Sequence, residues 1–169
     1  MSIITSPASE YFQGDIFADV PFAYVRSLDF VQPSDAARTK FTATPLPATG
    51  NKAHVVAPCS RSMGMLVTHE CIIDKGGRAP WSFARIVRIS VEGAEGQQAI
   101  RTGTNYQAFH LPKTAGILDE ESYVDFRLIT AVDPALARDL IRIASLSTEG
   151  RASLKQQLIL YWTRVEPGV

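Results

Sequence analysis

One short apolar segment between glycines constrains the fold of this chain more than any other stretch. Residues 65–67 form an apolar run that Ile72 and Ile73 resume, and Gly64 and the glycine pair 76–77 bracket a segment of strand length. This pattern predicts a mostly buried strand rather than a helix. A hydroxyl, an imidazole, a carboxylate and a thiol follow the first part of the run, in the order Thr68-His69-Glu70-Cys71. We therefore expect reactive side chains at the mouth of a core strand.

Four further segments carry strand patterns. Their apolar residues alternate with polar or small ones, and Pro21 and Pro112 end two of the segments because proline has no N–H to donate to a neighbouring strand. The segments are residues 14–20, 81–91, 106–111 and 122–130. Together with the segment after Gly64 they predict a mainly β fold, a small β-barrel or a curled sheet.

The last third of the chain changes to a helical period. Pro134 after Asp133 is typical of a capped first turn and predicts a short helix. Ser147 opens a second helix, in which apolar residues recur at spacings of three and four. These residues are Leu154, Leu158 and Tyr161 or Trp162. We expect a helical C-terminal part, residues 134–164, whose apolar face packs against the sheet.

Two segments lie outside these patterns. Residues 1–10 are rich in Ser, Pro and Ala and are expected to be a flexible N-terminus, and residues 26–60, interrupted by prolines, are expected to form a long loop or flap. A chain of 169 residues with 46% hydrophobic content is long enough for one sizeable core. We predict a single domain over residues 1–169.

Charge and cysteine usage restrict the class of protein. Lys plus Arg equals Asp plus Glu at 17 each, so the chain has no global positive field, and any nucleic-acid site must be a local patch. Only two cysteines are present and no secretory start is apparent, which favours a reduced compartment. No apolar run approaches the roughly 18 residues that span a bilayer. We expect a cytoplasmic protein with no membrane partner.

Three quoted segments resemble the MazF/PemK family of endoribonuclease toxins. Residues 14–17 (Gly-Asp-Ile-Phe) resemble its opening strand, residues 64–68 (Gly-Met-Leu-Val-Thr) resemble its next strand, and residues 122–162 resemble its closing part in order and spacing. The resemblance implies an SH3-like barrel with a long insertion after the first strand and C-terminal helices. It also implies a homodimer that cleaves single-stranded RNA by 2′-hydroxyl attack without a metal or cofactor, and a toxin–antitoxin pair in which an antitoxin protein is the partner.

The same resemblance assigns catalytic positions. The family places an arginine at the entrance of its second strand and a Ser or Thr at the end of the next, and the nearest residues here are Arg61, one residue away, and Ser90. Another branch uses an Arg and an Asp before its closing motif, and here Asp125 and Arg127 occupy that place in reversed order. Arg61 or Arg127 would bind the phosphate through its fork of N–H donors.

His69 is the candidate acid or base from the residues themselves. The unperturbed pKa of histidine lies near neutrality, so the side chain suits proton transfer at the 2′-hydroxyl or the leaving oxygen. His69 and Cys71, one residue apart, would share one face of a strand, which permits a Cys–His pair. The alternatives are a partly buried histidine bonded to a carbonyl and a cysteine packed as a small hydrophobe. A metal site is the weaker option because the other His and Cys residues are scattered.

A basic strand is the candidate RNA-binding surface. Arg85 and Arg88, with Arg78 nearby, could bind phosphates beside the aromatic ring of Trp81. The alternative is an ordinary solvated face. At the level of function, the alternative to an endoribonuclease is a non-catalytic SH3-like barrel that binds protein or nucleic acid through residues 26–60 and the rim at residues 68–71.

Overall fold

A computed structural model describes residues 3–23, 30–33, 41–43, 54–55, 59–74 and 79–164. The chain divides into two compact units, one made of Met1–Phe22 with Arg61–Val169 and one made of Ala23–Ser60. Whether these form the single domain expected from the sequence stays a prediction. Among the described residues no helix is both long enough and apolar enough to cross a membrane.

Ten strands and four α-helices make up the described secondary structure. The strands are β1 (Ile4–Thr5), β2 (Asp15–Ala23), β3 (Phe30–Pro33), β4 (Phe41–Ala43), β5 (His54–Val55), β6 (Cys59–Leu66), β7 (Trp81–Arg88), β8 (Ala108–Leu111), β9 (Ser122–Val132) and β10 (Arg142–Leu146). The helices are α1 (Glu70–Asp74), α2 (Ala94–Arg101), α3 (Pro134–Asp139) and α4 (Thr148–Thr163), and a 3₁₀ turn covers Ile89–Val91.

The prediction of a mainly β fold is confirmed. Seven strands form a curled antiparallel half-barrel in the order β1-β10-β2-β6-β7-β9-β8, with α4 as the C-terminal helix. The second unit contains a three-stranded sheet in the order β4-β3-β5. Residues 26–60, expected to be a loop or flap, therefore contain strands where they are described, and the rest of that segment lies outside the described residues.

Several predicted strand boundaries are wrong. β7 ends at Arg88 instead of residue 91, β8 begins at Ala108 instead of residue 106, and β9 extends to Val132. The strand β2 continues past Pro21 to Ala23. The described pairing of β2 with β10 covers only Asp15 to Phe17, and the Ala18 N–H bonds to the Ile141 carbonyl just beyond it. Pro21 lies past this pairing, so its missing N–H costs no hydrogen bond to β10. The described part of the N-terminal segment contacts the sheet, and its flexibility stays a prediction. β1 pairs with β10, and Arg142 donates to the carbonyls of Ala8 and Glu10.

The apolar run after Gly64 is a further correction, because it does not resume as a strand. β6 ends at Leu66, and Ile72 and Ile73 belong to α1, whose first turn closes on the carbonyl of His69 at 2.9 and 3.4 Å. Thr68 sets the change of direction, since its Oγ1 accepts the Ser82 N–H at 2.6 Å. A strand continuing past Thr68 would lose this bond.

The two faces of the sheet carry separate cores. Alternation along β7 sends Ala84 and Ile86 into the larger core, which α4 covers with Leu154 and Leu158. Trp81 and Phe83 enter the core on the opposite face, against residues of β2, β6 and α3. Between Ala84 and Arg85 the partner on β9 jumps from Ile129 to Asp125. The three extra residues, 126–128, bulge out of the ladder, and such bulges bend a sheet.

Both predicted C-terminal helices are present with their caps. Asp133 accepts the Ala135 N–H at 2.8 Å before α3, and Ser147 accepts the Gly150 N–H at 3.2 Å in the first turn of α4. Gly150 lets α4 approach the N-terminal segment, since a Cβ there would lie 2.9 Å from the Ile3 carbonyl. The caps and the close approach together fix where α4 crosses the sheet.

Candidate functional site

The turn between β6 and α1 brings His69 and Cys71 together. The imidazole Nδ1 of His69 lies 3.1 Å from Cys71 Sγ and accepts the backbone N–H of Cys71 at 3.2 Å. Because Nδ1 accepts this N–H, the neutral ring carries its proton on Nε2, and the thiol is the donor in the contact with Nδ1. The two side chains thus contact each other, through a helical turn rather than the shared strand face that the sequence permitted. Both side chains are exposed.

Lys155 of α4 joins this turn through an ion pair. Its Nζ lies 2.9 Å from Glu70 Oε2, with both side chains partly exposed. Such a pair contributes only about 0–1 kcal/mol to folding. The ion pair matters mainly because it positions a carboxylate and an ammonium next to His69.

A groove of about 440 Å³ runs between the turn and the last turns of α4. Its lining is mainly apolar, with Val67, Leu158 and Ile159, and His69 and Lys155 supply the ionisable groups. Trp162 stands at the groove and is 69% exposed. A second groove of about 260 Å³, lined by Ser82 and Ile129 among others, shares His69 and Trp162 with the first.

Gln13 lines the larger groove and is incompletely bonded. Its side chain is 4% exposed, and Nε2 donates to the Val67 carbonyl at 2.8 Å. This bond orients the amide, and Oε1 has no hydrogen-bond partner within the described part of the chain. A buried carbonyl left unbonded costs about 1–3 kcal/mol, so the amide is held here at a cost to stability.

The residues around the groove supply four chemical capacities. When protonated, His69 can donate a proton from Nε2; the Glu70 carboxylate can accept a proton, and Lys155 can balance negative charge. The exposed indole of Trp162 offers a stacking face for a base. Acid, base, cation and aromatic platform are the parts that metal-independent cleavage of a phosphodiester needs.

Ser90 and Arg88 lie far from this groove. Ser82, near the start of β7, lines the smaller groove together with His69, whereas Ser90 follows the end of β7. At about 3.3 Å per strand residue, Ser90 lies roughly 25 Å from Ser82. Ser90 Oγ donates to Glu120 Oε2 at 2.8 Å, and Arg88 Nε contacts Glu120 Oε1 at 3.2 Å. Both residues thus share one carboxylate at the opposite end of the strand.

Asp125 and Arg127 form a structural pair at the bulge. Asp125, 3% exposed, accepts Nε and a terminal N–H of Arg127, each at 2.8 Å, and also the Arg127 backbone N–H at 2.9 Å. The hydrogen bonds that Arg127 donates to Asp125 are the main cause that raises the pKa of Arg127. Asp125 is thus fully occupied in holding the bulge, while the Arg127 side chain is 53% exposed.

A buried tyrosine borders this pair on β9. The Tyr123 hydroxyl donates to Glu92 Oε1 at 2.5 Å. Burial is the main cause that raises the pKa of Tyr123, and the bond to Glu92 adds to it. The Tyr123 hydroxyl therefore stays protonated over the whole range of pH in which the protein would work.

The remaining candidates are dispersed. Arg85 is half-buried, with Nε 3.4 Å from Ser62 Oγ, and Arg61 is exposed on β6. Met63 and Met65 face the larger core, so alternation places Arg61 on that side of the sheet and Arg85 on the other. Trp81 is fully buried, with its ring 5.2 Å from that of Tyr11.

A base cannot reach a ring in the position of Trp81. Arg78 lies outside the described residues. Across the described ranges, no three His, Cys, Asp or Glu side chains cluster as a metal site would require.

Sequence reasoning named His69 but missed Lys155 and Gln13. Glu70 and Lys155 are 85 residues apart, so no local pattern connects them. The sequence left Tyr161 or Trp162 as the aromatic residue on the apolar face of α4; Tyr161 takes that place against Phe126, and the Trp162 indole is exposed. The tandem aromatics at 161–162 were the one available signal, because both cannot face the core.

Known proteins supply no further guide to this site. No protein-family model matches the chain, and no curated protein resembles it to a significant degree.

Proposed function

We propose that the chain is a divergent MazF/PemK-like protein, with an SH3-like half-barrel, that cleaves single-stranded RNA without a metal. Its site is the groove between the β6–α1 turn and α4, and not the positions that the resemblance assigns. One observation carries this proposal: the His69 imidazole, the Lys155 ammonium, which pairs with Glu70, and the exposed Trp162 indole line one groove.

The cleavage step follows from these groups. Glu70 takes the proton of the 2′-hydroxyl, whose oxygen attacks the adjacent phosphorus. Lys155 balances the charge that grows on the phosphorane, and protonated His69 gives its Nε2 proton to the departing 5′-oxygen. The products are a 2′,3′-cyclic phosphate and a 5′-hydroxyl, so no water or metal enters the step. RNA must displace Lys155 from Glu70 before the carboxylate can act.

The partners follow from the same resemblance. The proposal includes a homodimer and an antitoxin whose peptide occupies the groove, in the cytoplasm. Trp162 and the apolar side chains Val67 and Leu158 would contact either the bases of RNA or this peptide.

The test is incubation of purified protein with a long single-stranded RNA in excess EDTA. We expect cleavage with cyclic-phosphate ends, and loss of it in His69→Gln, Glu70→Gln and Lys155→Met. His110→Gln is the matched control, since His110 pairs with Glu121 away from the groove. Intact RNA at high protein excess, together with no growth arrest on expression, would refute the proposal.

The second candidate is a non-catalytic barrel that uses the same groove to bind a partner. It is favoured by the Glu70–Lys155 contact, which occupies both groups in the absence of RNA. This alternative predicts RNA or peptide binding that Trp162→Ala weakens, with no cleavage product in any variant.

A further inference from the structure

Two grooves meet at His69 and Trp162. The larger groove, of about 440 Å³, and the smaller groove, of about 260 Å³, share these two side chains and Val67 in their walls. Beyond the shared residues, Ile159 lines the larger groove and Ile72 lines the smaller one. The two grooves are therefore neighbours, with an imidazole and an indole at their common border.

The surface around this border is apolar on both sides and can be positively charged in between. Ile72, Ile159 and Trp162 are exposed although they are large and apolar, and such side chains gathered at one place are typical of a binding surface. His69 at the border can become cationic near neutral pH, and Lys155 lines the larger groove beside it. An apolar groove on each side of a cationic group is complementary to a phosphate flanked by two bases.

We propose that the two grooves are nucleoside subsites for a purine–pyrimidine step of single-stranded RNA, an assignment that rests on the cleavage function proposed above. The purine lies upstream of the scissile phosphate in the larger groove, and the pyrimidine lies downstream of it in the smaller groove. The phosphate lies at the common border beside His69, and the Trp162 indole offers its face to a base.

The cleavage step decides which nucleoside occupies which groove. The upstream nucleoside carries the attacking 2′-hydroxyl, whose proton Glu70 takes. Glu70 pairs with Lys155 at 2.9 Å, and Lys155 lines the larger groove, so the upstream nucleoside belongs there. His69 lines both grooves and can therefore reach the departing 5′-oxygen of a nucleoside in the smaller groove.

The sizes of the grooves decide which base each one favours. Binding gains free energy in proportion to the apolar area that it removes from water. A two-ring purine gains more from the groove of about 440 Å³ than a one-ring pyrimidine does, because it fills more of that groove. The groove of about 260 Å³ leaves less of a pyrimidine than of a purine in solvent. The purine–pyrimidine order therefore buries more base surface than the reverse order.

Two deoxydinucleotides test this order. The ligands d(ApC) and d(CpA) have the same bases and charge, and because they lack the 2′-hydroxyl they report binding without cleavage. Each is titrated into the full chain and followed by the fluorescence of the exposed Trp162, with the buried Trp81 as background. One additional methylene-sized contact changes affinity about fourfold, so we expect d(ApC) to bind at least about fourfold more tightly than d(CpA). Equal affinities, tighter binding of d(CpA), or no saturable binding of either ligand would overturn the assignment.

Ile159→Ala and Ile72→Ala test the two grooves separately, since the two isoleucines are exposed and line different grooves. The mononucleotide 2′-deoxyadenosine 3′-phosphate contains only the upstream nucleoside and the phosphate. Ile159→Ala should weaken binding of both this mononucleotide and d(ApC) by about fourfold or more, whereas Ile72→Ala should weaken d(ApC) alone. An equal effect of Ile72→Ala on both ligands, or no effect on either, would overturn the two subsites. Circular dichroism shows whether each variant is folded, and valine replaces alanine where it is not.

The result is separable from that of the cleavage test. Tighter binding of d(ApC) together with intact RNA supports the subsites and refutes the nuclease. Cleavage of RNA in EDTA with equal binding of the two deoxydinucleotides supports the nuclease and overturns the subsites.

Discussion

Replacing Arg127 by methionine tests whether the Asp125–Arg127 pair is structural. The Asp125 side chain is 4% exposed and the Arg127 side chain 53%, so the two partners lose different amounts when the other is removed. Arg127→Met leaves a buried carboxylate without its charge partner, which costs about 3–5 kcal/mol of unfolding free energy. Because the Arg127 side chain is half exposed, water screens its attraction to Asp125, and we expect a cost at the lower end of that range.

Asp125→Asn is the matched substitution in the other partner, because it neutralises the buried carboxylate. It keeps the size of the side chain and leaves a guanidinium that water can solvate. The free energy of unfolding then falls only by the charge-assisted part of the hydrogen bonds, about 1–3 kcal/mol. The structure thus predicts that removing the exposed partner is more costly than neutralising the buried one.

Urea unfolding at pH 7, followed by tryptophan fluorescence, measures both variants. We expect a lower midpoint for Arg127→Met than for Asp125→Asn, with unchanged slopes. RNA cleavage per folded molecule should equal that of the parent in both. Loss of cleavage by a folded Arg127→Met protein, or a larger destabilisation by Asp125→Asn, would refute a purely structural role.

Three further predictions concern single side chains. The pKa of Glu121 is lowered chiefly by its bond from Arg101, so its contribution to stability is present above about pH 4.3 and is lost as pH falls through the lower folded value. Glu121→Gln should therefore be less stable than the parent at pH 7 and equal to it in acid, as urea unfolding at several pH values will show. Ser147→Ala removes the cap of α4 and should cost about 1 kcal/mol in thermal unfolding. Trp162→Ala removes an exposed ring, so stability should change by less than about 0.5 kcal/mol while RNA affinity in a titration falls by about 1–3 kcal/mol.

Patterns within single elements predicted much of the fold, because strand alternation and helix capping depend on residues that are near each other in the sequence. Alternation gave β7 and the start of β9, and capping residues gave α3 and α4, since each signal lies within one element. The turn into α1 was missed because it depends on a bond between Thr68 and Ser82, 14 residues apart. The bulge at residues 126–128 was missed for the same kind of reason, because only pairing with β7 shows it.

The candidate site was predictable only in part. His69 could be named because its side chain is reactive whatever its neighbours are. Lys155 could not, since its role depends on where α4 crosses the sheet. Ser90 was named by resemblance alone, and its distance from His69 follows from strand length rather than from any pattern in the chain.

The central claim is that RNA cleavage takes place at the groove between the β6–α1 turn and α4. Cleavage of a long single-stranded RNA in EDTA by the parent, His69→Gln and Ser90→Ala tests it most directly. The account predicts a loss of about 10²- to 10⁴-fold in His69→Gln, the range of general acid–base catalysis, and an unchanged rate in Ser90→Ala. An unchanged rate in His69→Gln with loss in Ser90→Ala would contradict it.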